Sequence, residues 1–571
     1  MTPLGKKISF FENIGRTLTR AAFVVGFFSL AASFLGMFRD RMLAGYFGAG
    51  PELDVYYAAF RVPDFFFNTI LVSITSSAFL PVLTRYLHRP GQKSSVQKPA
   101  KSEPKNLLFP PEAQDFIESL TSLLMLGLFV VTLVLWAITP FLTHWIAPGF
   151  SPEQQQATVT LTRIMLISPI FLSFSGILGN ILNLRNYFFF YSLTPFVYNF
   201  GSIFAILFFV PRYGITGLAW GIVLGAILHF AIQFFPALSM GLRINWRWDP
   251  FHPGIKKVLK MMLPRSFHLG LLQGNLIITT LLASILPTGS LTVFTLANNI
   301  QGLPLGLFAA SFAIAVFPTL SILAAKEDTE KFRNEFSHVM CQILFFIIPL
   351  SVMIIILRAQ MVRLILGTGR FNWEDTVLTL NVLGVLAISL FAQGLNLLFV
   401  RAYFALHDTV TPLKSAIVGV IVNIAIGALA VKRWDWISPL LAKNSHLANL
   451  DSPIMGLALA YTFSQIAIFI FLFVGLHSYL KGIETAELKK SLGKIALATL
   501  VMGAITQLLK WAWGALIPLS TFTAVAGQIV TSGLVGVAVY LLISKILRSK
   551  ELIDFYNECP KILRRKKVVS E

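Results

Sequence analysis

Runs of roughly 20 or more apolar residues, scarcely interrupted by charge, recur from one end of this chain to the other. A run of that length crosses the hydrocarbon of a bilayer as a helix, at about 1.5 Å per residue over about 30 Å. No water reaches that hydrocarbon, so each backbone N–H and C=O must find its partner within the segment, which a helix provides. The centres fall near Phe28, Leu71, Phe129, Ile167, Ser202, Val223, Ile277, Phe308, Ile347, Ile388, Val422, Ile468, Leu500 and Gly533. They predict an all-α polytopic membrane protein of about fourteen transmembrane helices. Composition agrees: 56% of the 571 residues are hydrophobic and only 13% charged, with a mean hydropathy of +0.73. Soluble domains carry about 25% charged residues. A soluble enzyme and a free nucleic-acid binder are therefore excluded.

The formal net charge is +20, from 46 Lys and Arg against 26 Asp and Glu. In a soluble protein this excess would suggest nucleic acid. Here the cations gather in short polar gaps, as the positive-inside rule requires of cytoplasmic loops, where they also attract lipid headgroups. Arg85–Lys105, Arg243–Lys260, Lys326–Arg333, Lys481–Lys494 and Arg548–Lys567 are rich in Lys and Arg, whereas Ala147–Gln156 and Pro287–Ser290 contain neither. The bias predicts both termini in the cytoplasm. Arg358, Arg363, Arg370, Lys432 and Arg433 run against it. Cys341 and Cys559 lie far apart and show no metal-ligand spacing, so neither a disulfide framework nor a redox motif is supported.

The two halves repeat weakly and in order. Ala78-Phe79-Leu80-Pro81 answers Ala315-Val316-Phe317-Pro318; Thr194-Pro195 with Asn199 answers Thr411-Pro412 with Asn423; Gly217-Leu218-Ala219 answers Gly456-Leu457-Ala458. Duplication of a six-helix unit is implied, with two further helices after it. The expected organisation is an N-terminal lobe over 1–241 (helices 1–6), an interfacial linker over 242–254, a C-terminal lobe over 255–485 (helices 7–12), helices 13 and 14 over 486–547, and a basic cytoplasmic tail over 548–571. Duplicated lobes suit alternating access, with the substrate bound between the repeats.

An embedded charge costs at least about 2.5–3.5 kcal/mol, so each one needs a reason. The densest set runs from Phe38 to Phe67 and holds Arg39, Asp40, Arg41, Asp54, Arg61 and Asp64 around a Gly-rich turn. Two readings fit it equally. One is an interfacial turn with structural ion pairs, Arg39 with Asp54 for example. The other is a cationic wall that grips an anionic headgroup through bidentate Arg contacts. Asn298, Asn299 and Gln301 precede Gly302 and Pro304, as interhelical glue or as neutral donors facing the same cavity. Arg265 and His268 open the seventh span, and Arg401 and Asp408 flank a short turn with a structural look. No Walker A or HExxH sequence is present, and Glu153 alone in an outer loop is not a catalytic pair. The chain reads as a transporter rather than an enzyme. No cofactor is identified; coupling to the membrane potential or to an ion gradient stays open.

Phe38-Arg39-Asp40, Phe47-Gly48-Ala49-Gly50, Asp54, Ala59-Phe60-Arg61-Val62-Pro63 and Ala78-Phe79-Leu80-Pro81 resemble, in order, the signature of the MurJ (MviN) family. The resemblance continues through Ala147-Pro148-Gly149-Phe150, Gly176-Ile177-Leu178-Gly179-Asn180, Gly369-Arg370-Phe371 and the stretch Arg401–Pro412, and so spans nearly the whole chain. It implies the MOP exporter fold, two six-helix lobes followed by two extra helices. It also implies a multi-pass protein of the bacterial cytoplasmic membrane that flips lipid II, the undecaprenyl-linked peptidoglycan precursor, in cell-wall biosynthesis. Other partners it implies are membrane lipids and wall-synthesis proteins, and no nucleic acid.

Arg39, Asp40 and Asp54 fall on family positions that hold the same residue types. The chain departs from the family at Ser33, Phe67 and Asn299, where the resemblance implies arginines, and at Gly302, where it implies a glutamate. Arg61 and Arg265 are the cations left to substitute, and no embedded acidic pair marks a sodium site. The substrate-binding set expected is Arg39, Asp40, Asp54, Arg61, Asn298 and Asn299. The rival readings are a transporter of another polyprenyl-linked glycan or of an amphipathic cation on the same fold, and a non-transporting scaffold of wall synthesis.

Overall fold

A computed structural model describes residues 18–74, 79–87, 109–185, 187–240, 242, 245–442, 452–483, 485–519 and 521–556. Most of the loop Arg85–Lys105, Cys559 and the end of the basic tail lie outside them, as do the side chains of Arg265 and His268. The described residues are helical throughout their regular structure. They fall into two compact units: residues up to Met42 with Val55–Ile277, and Leu43–Asp54 with Ile278 onward.

The first unit contains most of α1 (Leu18–Phe47) and α2 (Pro51–Phe66), then α3 (Leu80–Leu87), α4 (Pro111–Ile146), α5 (Pro152–Met165) and α6 (Ser168–Leu184). It closes with α7 (Phe188–Phe208), α8 (Ile215–Ser239) and the start of α9 (Pro253–Ile285). The linker was expected over 242–254. Ile255 and Val258 of α9 are buried with Phe79, Leu83, Phe116 and Ile177, so the first half of this long helix belongs to the first core and the division falls within α9. The turn before α5 is written locally. Ser151 and Gln154 form a reciprocal capping box that satisfies two helix-end N–H groups, and Pro152 fits the first turn, where its missing N–H costs nothing.

The second unit holds α10 (Ser290–Pro304), α11 (Ala310–Ala325), α12 (Thr329–Ile365), α13 (Trp373–Ile388), α14 (Leu390–Ala405), α15 (Val410–Ala442), α16 (Ile454–Tyr479), α17 (Thr485–Leu516) and α18 (Phe522–Ile546). The last two helices pack on α12: Tyr540 Oη donates to the carbonyl of Phe345 at 2.7 Å, and Lys510 Nζ to that of Ile356 at 2.9 Å.

Features of one half recur in the other. A π-helical turn follows α2 at Phe67–Leu71 and another joins α10 to α11 at Leu305–Ala309, each about three turns ahead of the repeated Phe and Pro motif. Asn199 of α7 donates to the carbonyl of Ala32 on α1 at 3.3 Å, while Asn423 of α15 donates to Thr279 Oγ1 on α9 at 3.1 Å. In α7 and α8 the backbones meet at Gly201 and Gly225, where an added Cβ would come within 2.4 Å of the facing Cα; in α15 and α16, Gly456 meets Ala430 as closely. Lipid gives apolar faces no hydrophobic reason to associate, so such small-residue contacts and interhelical amide bonds hold the pairs together.

By length and hydropathy, ten helices among the described residues suffice to cross a membrane, or eleven counting α13 and α14, bent by 46°, as one span. The segments around Phe28, Leu71 and Ile277 are not among these, so fourteen crossings remains an expectation.

Candidate functional site

The six residues singled out from sequence divide between the units. Arg39, Asp40 and Arg61 lie in the first; Asp54, Asn298 and Asn299 lie in the second.

In the first unit Arg39 sits near the end of α1 with its side chain only 22% exposed. Its Nε and Nη2 donate to Asp40 Oδ1 at 3.0 and 2.7 Å, and its Nη1 donates to Asn199 Oδ1 at 3.1 Å. The expected partner, Asp54, is corrected by this geometry: the neighbouring carboxylate holds the guanidinium. Asn199 reaches it because Gly36, one turn below Arg39, leaves that side of α1 bare. Sequence reasoning picked out Asn199 only as a mark of the repeat, and missed its role as second partner of Arg39.

Tyr56 and Tyr57 of α2 and Tyr198 of α7 surround this pair and interact electrostatically with it. Tyr57 Oη is buried and has no hydrogen-bond partner among the described residues. Arg61 acts on the Tyr57 ring and on Asp64, whose Oδ1 accepts from Asn68 Nδ2 at 2.8 Å. A guanidinium has five N–H donors and three of those on Arg39 are spent, so two remain for a further acceptor. A planar cation with spare donors beside an orphaned hydroxyl is suited to an oxyanion such as a phosphate.

Asp54 does something else. Its Oδ2 accepts from Gly289 N at 2.6 Å, and its Oδ1 from Thr292 N at 2.8 Å and Thr292 Oγ1 at 2.7 Å. It therefore caps the start of α10, where unpaired N–H groups and the helix dipole favour an anion. The same corner joins two of the sequence motifs. Arg370 N donates to the carbonyl of Gly45 at 2.8 Å, and Ala49 N to Asp375 Oδ2 at 3.3 Å. Gly369 has φ +57°, and a Cβ there would lie 2.1 Å from Gly45 O; at Gly289, φ +92°, it would lie 2.3 Å from Ala49 O. Only glycine fits either place.

Asn298 Oδ1 accepts from Gln301 Nε2 at 2.9 Å within α10, and Asn299 is exposed. At the other positions where arginine was implied, Ser33 spends its hydroxyl on the carbonyl of Ser29 at 3.0 Å, and Phe67 packs against Phe66 and Leu128. Asp408 caps α15, accepting from Val410 N and from Thr411 N and Oγ1, in keeping with its structural reading. Among the described residues no group of three or more His, Cys, Asp or Glu is placed to hold a metal ion.

Comparison with known proteins follows the same order as the motifs. A sequence profile described as lipid II flippase MurJ matches residues 43–526. A probable lipid II flippase MurJ of Rhizobium tropici is 24% identical over 543 residues, covering 93% of this chain and 94% of that protein. The lipid II flippase MurJ of Burkholderia cenocepacia is 24% identical, covering 70% and 76%. Among solved structures, a lipid II flippase MurJ in an inward closed conformation superposes with a TM-score of 0.68 at 25% identity, over 91% of this chain and 98% of the other. An inward-facing MATE-family multidrug transporter of the MOP superfamily gives 0.61 at 14% identity, over 80% and 96%, and shares the fold alone.

Proposed function

Since this chain belongs to the lipid II flippase MurJ family, we propose that it carries lipid II across the bacterial cytoplasmic membrane by alternating access, in peptidoglycan synthesis. One observation in the chain itself supports the cargo class most: Arg39, embedded and three-quarters sheltered, keeps two donors unspent beside the unpartnered Tyr57 hydroxyl. A pyrophosphate offers the oxygens for both. The role is that of a transporter, with no bond made or broken in the cargo. Its energy comes from the membrane potential or an ion gradient in this reading. Lipid headgroups and wall-synthesis proteins are its other partners.

The test is replacement of the resident flippase. Expression of this chain in a bacterium depleted of its own lipid II flippase is expected to restore growth and to expose lipid II to an impermeant reagent outside. Restored folding and membrane insertion without exposure of lipid II would overturn the reading. A second cargo, another polyprenyl-pyrophosphate-linked glycan, is favoured by Ser33, Phe67 and Asn299, which leave fewer cations than the family pattern implies. It would show as transport of that glycan in place of lipid II.

Both termini are assigned to the cytoplasm. The loop with Lys326, Lys331 and Arg333 then faces inward and the Ser151–Gln156 turn outward. An impermeant maleimide is expected to label Gln156→Cys in intact spheroplasts and Lys326→Cys only after permeabilisation. The reverse pattern would invert the assignment.

A further inference from the structure

Among the described residues, two of the cations in the second unit, Arg358 and Lys510, form no ion pair. Arg358 lies seven residues before the end of α12, and Lys510 six before the end of α17. Arg358 Nη1 donates to the carbonyl of Ile355 at 2.6 Å, and Lys510 Nζ crosses from α17 to the next carbonyl, Ile356, at 2.9 Å. The positive charges are close enough to act on one another. The stem of Arg358 lies over Gly384 of α13, where an added Cβ would come within 3.1 Å of its Cδ.

The helices around them supply no acid. α12 from Pro349 onward and all of α18 contain none, and α17 has none after Glu487. On α13 the acids are Glu374, exposed, and Asp375, which accepts from Ala49 N and Asn372 N at the helix start. Each cation lies about 10 Å along the axis from its helix end at 1.5 Å per residue. Two like charges held this close repel, and carbonyl contacts do not neutralise them. Beside Lys510 the surface of α17 is apolar and outward: Trp511, the next residue, is 65% exposed.

We propose that Arg358 and Lys510 hold the phosphate of an anionic glycerophospholipid, in the leaflet at the Ile365 and Leu516 ends of α12 and α17. Long basic side chains reach from the slab to the phosphate level, and the exposed face of α17 seats an acyl chain. The occupant is a lipid rather than a free anion because the pair opens on an apolar helix face. This also accounts for the position of Arg358 against the charge bias of the loops: its partner is a headgroup.

Native mass spectrometry of the detergent-purified chain tests it, with phosphatidylglycerol and phosphatidylethanolamine supplied in equal amounts. Each surface cation contributes about fivefold to retention of an anionic lipid. The wild type is expected to keep phosphatidylglycerol preferentially, and Arg358→Gln with Lys510→Gln to lose that preference by about 25-fold. Lys510→Arg should keep it. Should the double variant fail to fold, Arg358→Met, which preserves the stem, is expected to lose about fivefold. Equal retention of both lipids by the wild type, or an unchanged preference in the folded variants, overturns the proposal. So does displacement of the lipid by millimolar inorganic phosphate, which would make this a site for free anions.

Discussion

Asp54→Ala is expected to lower the folded yield and the melting temperature of the purified protein more than any other single change in the motif region. The carboxylate meets three donors from the start of α10, two of them backbone N–H groups with no other helical partner. A hydrogen bond to a charged group contributes about 1.5–3 kcal/mol, and donors left buried without a partner add the cost of lost hydration. The three bonds share one carboxylate and are not additive, so a loss of about 3–5 kcal/mol is expected. The chain cannot easily rearrange to recover them, because Ala49 O presses on Gly289 at a left-handed φ. Asp54→Asn keeps an acceptor and should fall between Ala and wild type. Thr292→Val removes one side-chain donor to the carboxylate and should cost about 1.5–3 kcal/mol. Thermal unfolding in detergent with tryptophan fluorescence reads all three. A melting curve for Asp54→Ala that overlays the wild type would overturn the capping role.

The apolar blocks were legible because burial in lipid imposes one pattern on every span. What hid from sequence was any break made of apolar residues. The block centred on Ile167 is two helices, ending at Met165 and starting at Ser168, and the block at Ile388 bends at Ser389. Neither break changes the hydropathy. The division into units is a related case. The polar stretch 242–254 changes the composition, but the division lies inside the uninterrupted helix α9, where only packing records it.

At the candidate site, charge density singled out Arg39, Asp40 and Asp54, while their partners, Asp40 and Asn199 for Arg39 and the start of α10 for Asp54, come from the fold. A carboxylate caps a helix start or pairs with a cation according to what the fold brings to it. For Asp54 that partner lies more than two hundred residues away. The motif glycines Gly48 on one side and Gly369 on the other are explained by two chain segments meeting backbone to backbone. Neither segment alone reveals the other.

Arg39→Ala is expected to abolish transport while the protein still inserts and accumulates. The guanidinium keeps two donors unspent, and a pyrophosphate oxygen held by it gains a charge-assisted bond of about 1.5–3 kcal/mol, roughly ten- to a hundredfold in binding. Arg39→Lys keeps the charge but presents a point rather than a fork. It cannot satisfy Asp40, Asn199 and a phosphate oxygen together in one plane, so impaired transport is expected. Asn199→Ala should weaken transport less, by freeing Nη1 without removing the cation. The competing account is that Arg39 and Asp40 serve only each other, an ion pair buried for want of a better place. It predicts that Arg39→Gln combined with Asp40→Asn, which removes both charges and keeps both shapes, restores what Arg39→Gln alone destroys. Lipid II exposure in cells depleted of their own flippase separates the two. If the double variant transports like wild type, the arginine has no contact with the cargo; if it stays inactive at normal abundance and melting temperature, the lost function belongs to the guanidinium and not to the pair.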